Sequence, residues 1–106
     1  MGEIKVKINQ PGKGEKSLRI FLGGDLGINN LGDLTERLKQ IEKDHSEFEV
    51  NLSEVSAFDL ASLQILISLK KTVEKHKKKI RFKLDLPKDI WELFEKTGFS
   101  RELKNL

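Results

Sequence analysis

Apolar residues in this chain change their spacing several times, from every second residue to every third or fourth and back, which an all-helical or all-strand fold cannot accommodate. Ile4, Val6 and Ile8 alternate with Lys5 and Lys7, the period of a half-buried strand. Asn9-Gln10-Pro11-Gly12-Lys13-Gly14 is turn chemistry, since Pro presets one backbone angle and Gly reaches positive ones. Leu18, Ile20 and Leu22 then alternate with Arg19 and Phe21, so a second strand completes a hairpin, and Gly23-Gly24-Asp25 is read as its break.

The spacing then lengthens. Leu31, Leu34, Leu38 and Ile41 form one helical stripe with a polar back. Asn30 is placed to cap that helix, Asp33 suits the positive end of its dipole, and Asp44-His45-Ser46 closes it. Phe48, Val50 and Leu52 give a third strand, with Val55 and Phe58 as anchors of the loop after it. Asp59 can cap a second helix, whose apolar set from Leu60 to Val73 predicts a start that is largely buried and a Lys-rich end that is exposed.

Ile80, Phe82, Leu84 and Leu86 alternate with Arg81, Lys83 and Asp85 in a fourth strand. Pro87 fits the first turn of a last helix, with Ile90, Leu93 and Phe94 facing inward. Gly98-Phe99 closes that helix, and Arg101 to Leu106 can add a short final turn. The expected order is β-β-α-β-α-β-α: a single α/β domain over residues 1–106, with helices packed on a mixed sheet. Strands three and four, joined through a helix, should be parallel with a right-handed crossover.

Composition narrows the function classes. The 106 residues contain no Cys, which removes disulfides, thiol catalysis and cysteine metal sites and suits a reducing cytosol. His45 and His76 are too far apart in sequence to suggest a metal pair. Twenty Lys and Arg against 17 Asp and Glu leave a mild +3, interspersed enough that bulk charge calls for neither nucleic acid nor membrane. No apolar signal core opens the sequence, position 6 is Val where a myristoylation signal wants Ser or Thr, and Leu60–Leu69 is too short to span a bilayer. The expectation is a cytoplasmic domain.

Several motifs fail on inspection. Gly12-Lys13-Gly14-Glu15-Lys16-Ser17 lacks phosphate-loop spacing and precedes a strand, so no helix N-terminus is there to receive phosphate. Gly23-Gly24-Asp25-Leu26-Gly27 lacks dinucleotide spacing; both stretches read as turns. Lys75-His76-Lys77-Lys78-Lys79, with Lys70 and Lys71 before it, is the one charge block. It suits the negative end of a helix dipole and has no aromatic interleaved for stacking on single strands. No nucleophile elbow accompanies either His, so the chain is read as a non-enzyme without a cofactor.

The informative stretch is Phe48 to Leu69, FEVNLSEVSAFDLASLQILISL: strand, short loop, Asp59, apolar helix. With Leu18–Leu22 and Gly23-Gly24-Asp25-Leu26 before it, and Thr97-Gly98-Phe99 at the end, it resembles the STAS family of sulfate-transporter and anti-sigma factor antagonist domains. The resemblance covers nearly the whole chain. It implies a regulatory binding module that docks an anti-sigma kinase or related signalling protein, released when the residue after the Asp is phosphorylated. A phosphate adds about −1.5 to −2 charges, which in a contact surface brings repulsion and desolvation cost.

This sequence departs from the family pattern where the switch should be. The acceptor position holds Leu60, the usual Gly is Ser62, and Asn51 stands where an acidic residue is common. Either the surface docks constitutively, or Ser62 has taken over as acceptor; Ser62 also reads as a small helix residue whose hydroxyl satisfies nearby backbone. The expected partner-binding residues are Asp25, Asn29, Ser56, Asp59, Leu60, Ala61, Ser62 and Gln64, from the helix start and the Gly23–Asn29 loop beside it. Trp91 packs at the edge of the last helix's stripe. A further alternative within the resemblance is an accessory subunit of a lipid-transport ATPase complex.

Overall fold

A computed structural model describes residues 3–14, 16–27 and 30–106. The chain runs β1 (Ile4–Asn9), β2 (Leu18–Asp25), α1 (Leu31–Asp44), β3 (Glu47–Ala57), α2 (Leu60–Lys75), β4 (Lys79–Leu84), α3 (Lys88–Thr97) and α4 (Ser100–Lys104). The expected β-β-α-β-α-β-α order holds, with α4 as the short last turn. The four strands lie in sequence order, β1 antiparallel to β2, β2 and β3 parallel, β3 and β4 parallel. Each parallel pair is joined through a helix, since a crossover must return the chain to the starting end of the sheet.

One buried cluster joins the sheet to all four helices. It takes Leu18, Ile20 and Leu22 from β2, Phe48, Val50 and Leu52 from β3, and Leu34, Leu38, Leu63, Leu66, Val73, Ile90, Phe94 and Leu103 from the helices. These strand residues are the even-numbered ones, so all helices pack on one face and the other faces solvent. Alternation read from the sequence therefore assigned the faces correctly.

Several local expectations need correction. Gly23, Gly24 and Asp25 do not end β2 but continue it, because β3 bulges toward them. Between Leu22 and Gly24 the partner strand advances from Leu52 to Val55, and the extra residue is absorbed with Glu54 at φ +52°. A Cβ on Gly23 would lie 2.4 Å from the Ser53 carbonyl oxygen, so glycine is required there by close approach rather than by a turn. For the same reason Val55 and Ser56 belong to β3 rather than to a loop.

Asn30 stands at the N-cap of α1 but makes no side-chain cap bond; its Nδ2 donates to the Asp25 carbonyl at 2.7 Å instead. Strand β4 stops at Leu84, and Leu86 is buried in the connection to Pro87, which occupies the cap position of α3. Along α2 the first turns are buried at Ser62, Leu63 and Leu66 and the lysine end is exposed, as expected, with two departures: Leu60 is exposed and Val73, near the lysines, is buried. Trp91 is half-buried against the core, as expected.

On the helix-free face Glu49 of β3 is only 4% exposed. Lys83 Nζ lies 2.7 Å from its carboxylate, with Arg19 Nε at 3.5 Å and Arg81 Nη2 at 3.9 Å. The Lys83 hydrogen bond holds the Glu49 carboxyl below its ordinary value of 4.5, the charges of Lys83, Arg19 and Arg81 add to this, and burial opposes it. A carboxyl whose folded pKa is depressed stabilises above its unfolded pKa and loses that contribution as pH falls through the folded value. Stability measured by denaturant titration should therefore decline below pH 4.5 more steeply in the wild type than in Glu49→Gln. Parallel pH profiles of the two proteins would show that the ion cluster contributes nothing.

Candidate functional site

The β3 bulge continues past Val55: Gly24 pairs with Val55 and Asp25 with Ala57, so β3 carries a second extra residue there. This displacement brings the strand end, Phe58 and Asp59 against the chain leaving β2. Leu26 N donates to the Ala57 carbonyl at 2.8 Å, and the buried Phe58 ring packs 5.7 Å from that of Phe94 on α3. Asp59 is thus held at the C-terminal ends of β2 and β3, where α2 begins.

Why α2 starts at this position is a matter of hydrogen bonds. Asp59 has extended backbone, and its Oδ1 accepts from the Ser62 N–H at 2.9 Å while the Asp59 N–H donates to Ser62 Oγ at 3.3 Å. This reciprocal capping box satisfies two backbone donors that a helix start would leave unpaired. The Ser62 hydroxyl also donates to the Leu26 carbonyl and lies 2.9 Å from Asp59 Oδ1. Ser62 is 0% exposed. It clips the helix start to the β2 exit.

The Asp25 turn stands beside this box. Asp25 Oδ1 accepts from the Gly27 N–H at 2.8 Å, and a Cβ on Gly27 would lie 2.9 Å from that oxygen and 3.7 Å from Asp59 Oδ2. Both carboxylates therefore lie close to one small glycine. Asn29 lies outside the described residues. Ala61 is half-buried, while Ser56 and Gln64 are exposed, Gln64 one turn along α2 from Leu60. Asn51 is within β3, level with Phe21 and Lys83, rather than at a strand end.

Leu60 is 36% exposed and has company that the sequence did not suggest. Leu93, expected to face inward, is 49% exposed, and Phe99 is 36% exposed. With Phe94 and Thr97 these three line a shallow, almost wholly apolar depression of about 210 Å³. A three-residue step from Ile90 turns Leu93 about 60° off the buried Ile90–Phe94 line, which places it on the helix flank. Gly98, at φ +84°, ends α3 and lets the Phe99 N–H reach the Phe94 carbonyl at 2.8 Å. Phe99 is thereby folded back beside Leu93. Of the four large hydrophobic residues that are exposed among the described residues, three meet here.

Among the described residues no cluster of His, Asp or Glu could hold a metal ion. Among them no helix is long and apolar enough to cross a membrane.

Comparison with known proteins bears on the family and the fold. Residues 10–105 match the family model described as "Mlab, STAS domain". The fold is similar to that of the Bacillus cell fate determinant SpoIIAA in its phosphorylated form, with a TM-score of 0.59 and 10% identity over 92% of this chain and 86% of that one. It is also similar to the anti-sigma factor antagonist SpoIIAA in its unphosphorylated form, with a TM-score of 0.66 and 10% identity over 92% and 84%. No curated protein matches the chain.

Proposed function

We propose, starting from the fact that the chain belongs to the STAS domain family, that it is a non-enzymatic regulatory module docking a signalling protein through the start of α2. The observation that carries this reading is Leu60, exposed on a rigidly capped helix start and continuous with Leu93 and Phe99. A contiguous apolar patch on a small domain loses its unfavourable hydration only when a partner covers it. The capping box fixes the patch in advance, so little conformational entropy is lost on binding.

A protein of this fold is known in phosphorylated and unphosphorylated forms. Here Leu60 has no hydroxyl, and docking is constitutive rather than switched at that position. The alternative acceptor, Ser62, is a structural residue in this proposal: its hydroxyl is buried and engaged by Leu26 and Asp59. A kinase would have to open the β2–α2 junction to reach it. Asp25 and Asp59 shape the polar rim, and Gln64 and Ser56 border it.

The test is binding of Leu60→Asp to the partner captured from native cells. A charge placed in the middle of the apolar contact should weaken binding about thirtyfold or more, with the melting temperature little changed because Leu60 is already 36% exposed. The identity of the captured protein separates an anti-sigma kinase or related signalling protein from an ATPase subunit of a transport complex.

A further inference from the structure

All six cations carried by the strands lie on one face. Lys5 and Lys7 of β1, Arg19 of β2, and Lys79, Arg81 and Lys83 of β4 all occupy odd-numbered positions, opposite to the buried cluster; the registers put Lys7 in one row with Lys83 across Phe21 and Asn51, and Arg19 in one row with Arg81 across Glu49. Among the described residues of β3 the same face carries Glu47 and Glu49, and Glu54 lines the depression beside Lys5 and Lys7. The chain's total charge is +3, so this face alone accounts for the excess and the remainder is close to neutral.

We propose that this helix-free sheet face is a second docking surface, and that its partner is an acidic protein segment. An open sheet face has to be polar, but mixed signs would serve that purpose without the repulsion of six like charges. Three of its strands are parallel, and parallel strands are ordinarily covered on both faces. Glu49 is buried beneath Arg19, Arg81 and Lys83, which holds those cations together on the surface. Among the described residues Lys5, Lys7 and Lys79 have no carboxylate partner at all.

The spacing suits a polypeptide. Outward positions repeat about every 6.8 Å along Lys5–Lys7 and along Lys79–Arg81–Lys83, the repeat of carboxylates at alternate residues of an extended chain. A polynucleotide laid across the face would meet Glu47 and Glu49 in the middle and would find one aromatic, the half-buried Phe21, for its bases. A bilayer would find nothing to insert it: Ile8, Leu60, Leu93 and Phe99, the large exposed hydrophobics, lie elsewhere.

The experiment is an amide chemical-shift titration of the full chain with a ten-residue peptide of alternating Glu and Ser at low salt. Shifts should concentrate on β1, β2 and β4, and Lys7→Glu with Lys79→Glu should weaken binding about tenfold. Neither lysine pairs with Glu49, so folding is preserved. Lys71→Glu with Lys75→Glu makes the same change of charge on α2 and should alter binding less than about twofold. Leu60→Asp should leave it unchanged, which keeps this surface separate from the Leu60 site. Absence of shifts on the sheet, equal loss in both double variants, or tighter binding at the same residues to a single-stranded oligonucleotide or to vesicles with one-third anionic lipid would each overturn the proposal.

Discussion

Ser62→Asp should unfold the start of α2 rather than mimic a phosphorylated switch. The position is fully buried, its hydroxyl donates to the Leu26 carbonyl, and Asp59 Oδ1 stands 2.9 Å away. A second carboxylate there would be a buried charge facing a like charge and a carbonyl, with the Asp59 N–H, 3.3 Å from Ser62 Oγ, as the one donor described beside it. Breaking a buried polar arrangement in this way costs about 3–5 kcal/mol, a large fraction of the stability of a domain this size. Ser62→Ala, which loses only the capping and clip bonds, should cost about 1–2 kcal/mol. Urea denaturation midpoints of the two variants check the order. If Ser62→Asp unfolds with the wild-type midpoint, the hydroxyl is reachable and the acceptor alternative regains its basis.

Gly23→Ala should produce the second large effect, by a different route. The added methyl would sit 2.4 Å from the Ser53 carbonyl oxygen and 3.5 Å from that of Glu54, both backbone atoms of the neighbouring strand. Neither can rotate aside as a side chain could. The bulge must shift, and overpacking of this kind costs about 1–3 kcal/mol. Because the bulge sets where β3 ends, the variant should also disturb Asp59. Amide hydrogen exchange should quicken at Leu26, which donates to Ala57, and at Ser62. Wild-type protection at both amides in a stably folded Gly23→Ala protein would show that the bulge does not position the helix start.

These two cases also mark where the sequence could be read and where it could not. Period-two alternation located β1, β2, β3 and β4 and assigned their faces, because each strand has one wet side. The cap at Asp59 was legible because an Asp before an apolar run has a local cause, the unpaired donors of the helix start. Gly23-Gly24 was misread as a break because glycine marks both turns and close backbone approach, and only the neighbouring strand distinguishes the two. Val55 reads as loop from the sequence for a related reason, since a bulge interrupts the alternation that identifies a strand.

Asn30 illustrates another limit: a capping residue type can serve a tertiary partner, here the Asp25 carbonyl, in place of its own helix. Leu93 was assigned to the core by its residue type, yet in a ten-residue helix the buried line is narrow and Ile90 and Phe94 fill it. The apolar patch therefore arises from two helices and a cap far apart in sequence, and no local pattern announces it. Ser62, by contrast, was read with both of its roles open, and its burial supports the structural one.

The account turns on whether Leu60 is the centre of a partner contact, and purified components test this most directly. Titration calorimetry of the natively captured partner with wild type, Leu60→Asp and Leu93→Asp should show both variants weakened about thirtyfold or more while circular dichroism and melting temperature match the wild type. Wild-type affinity for that partner in both variants would contradict it.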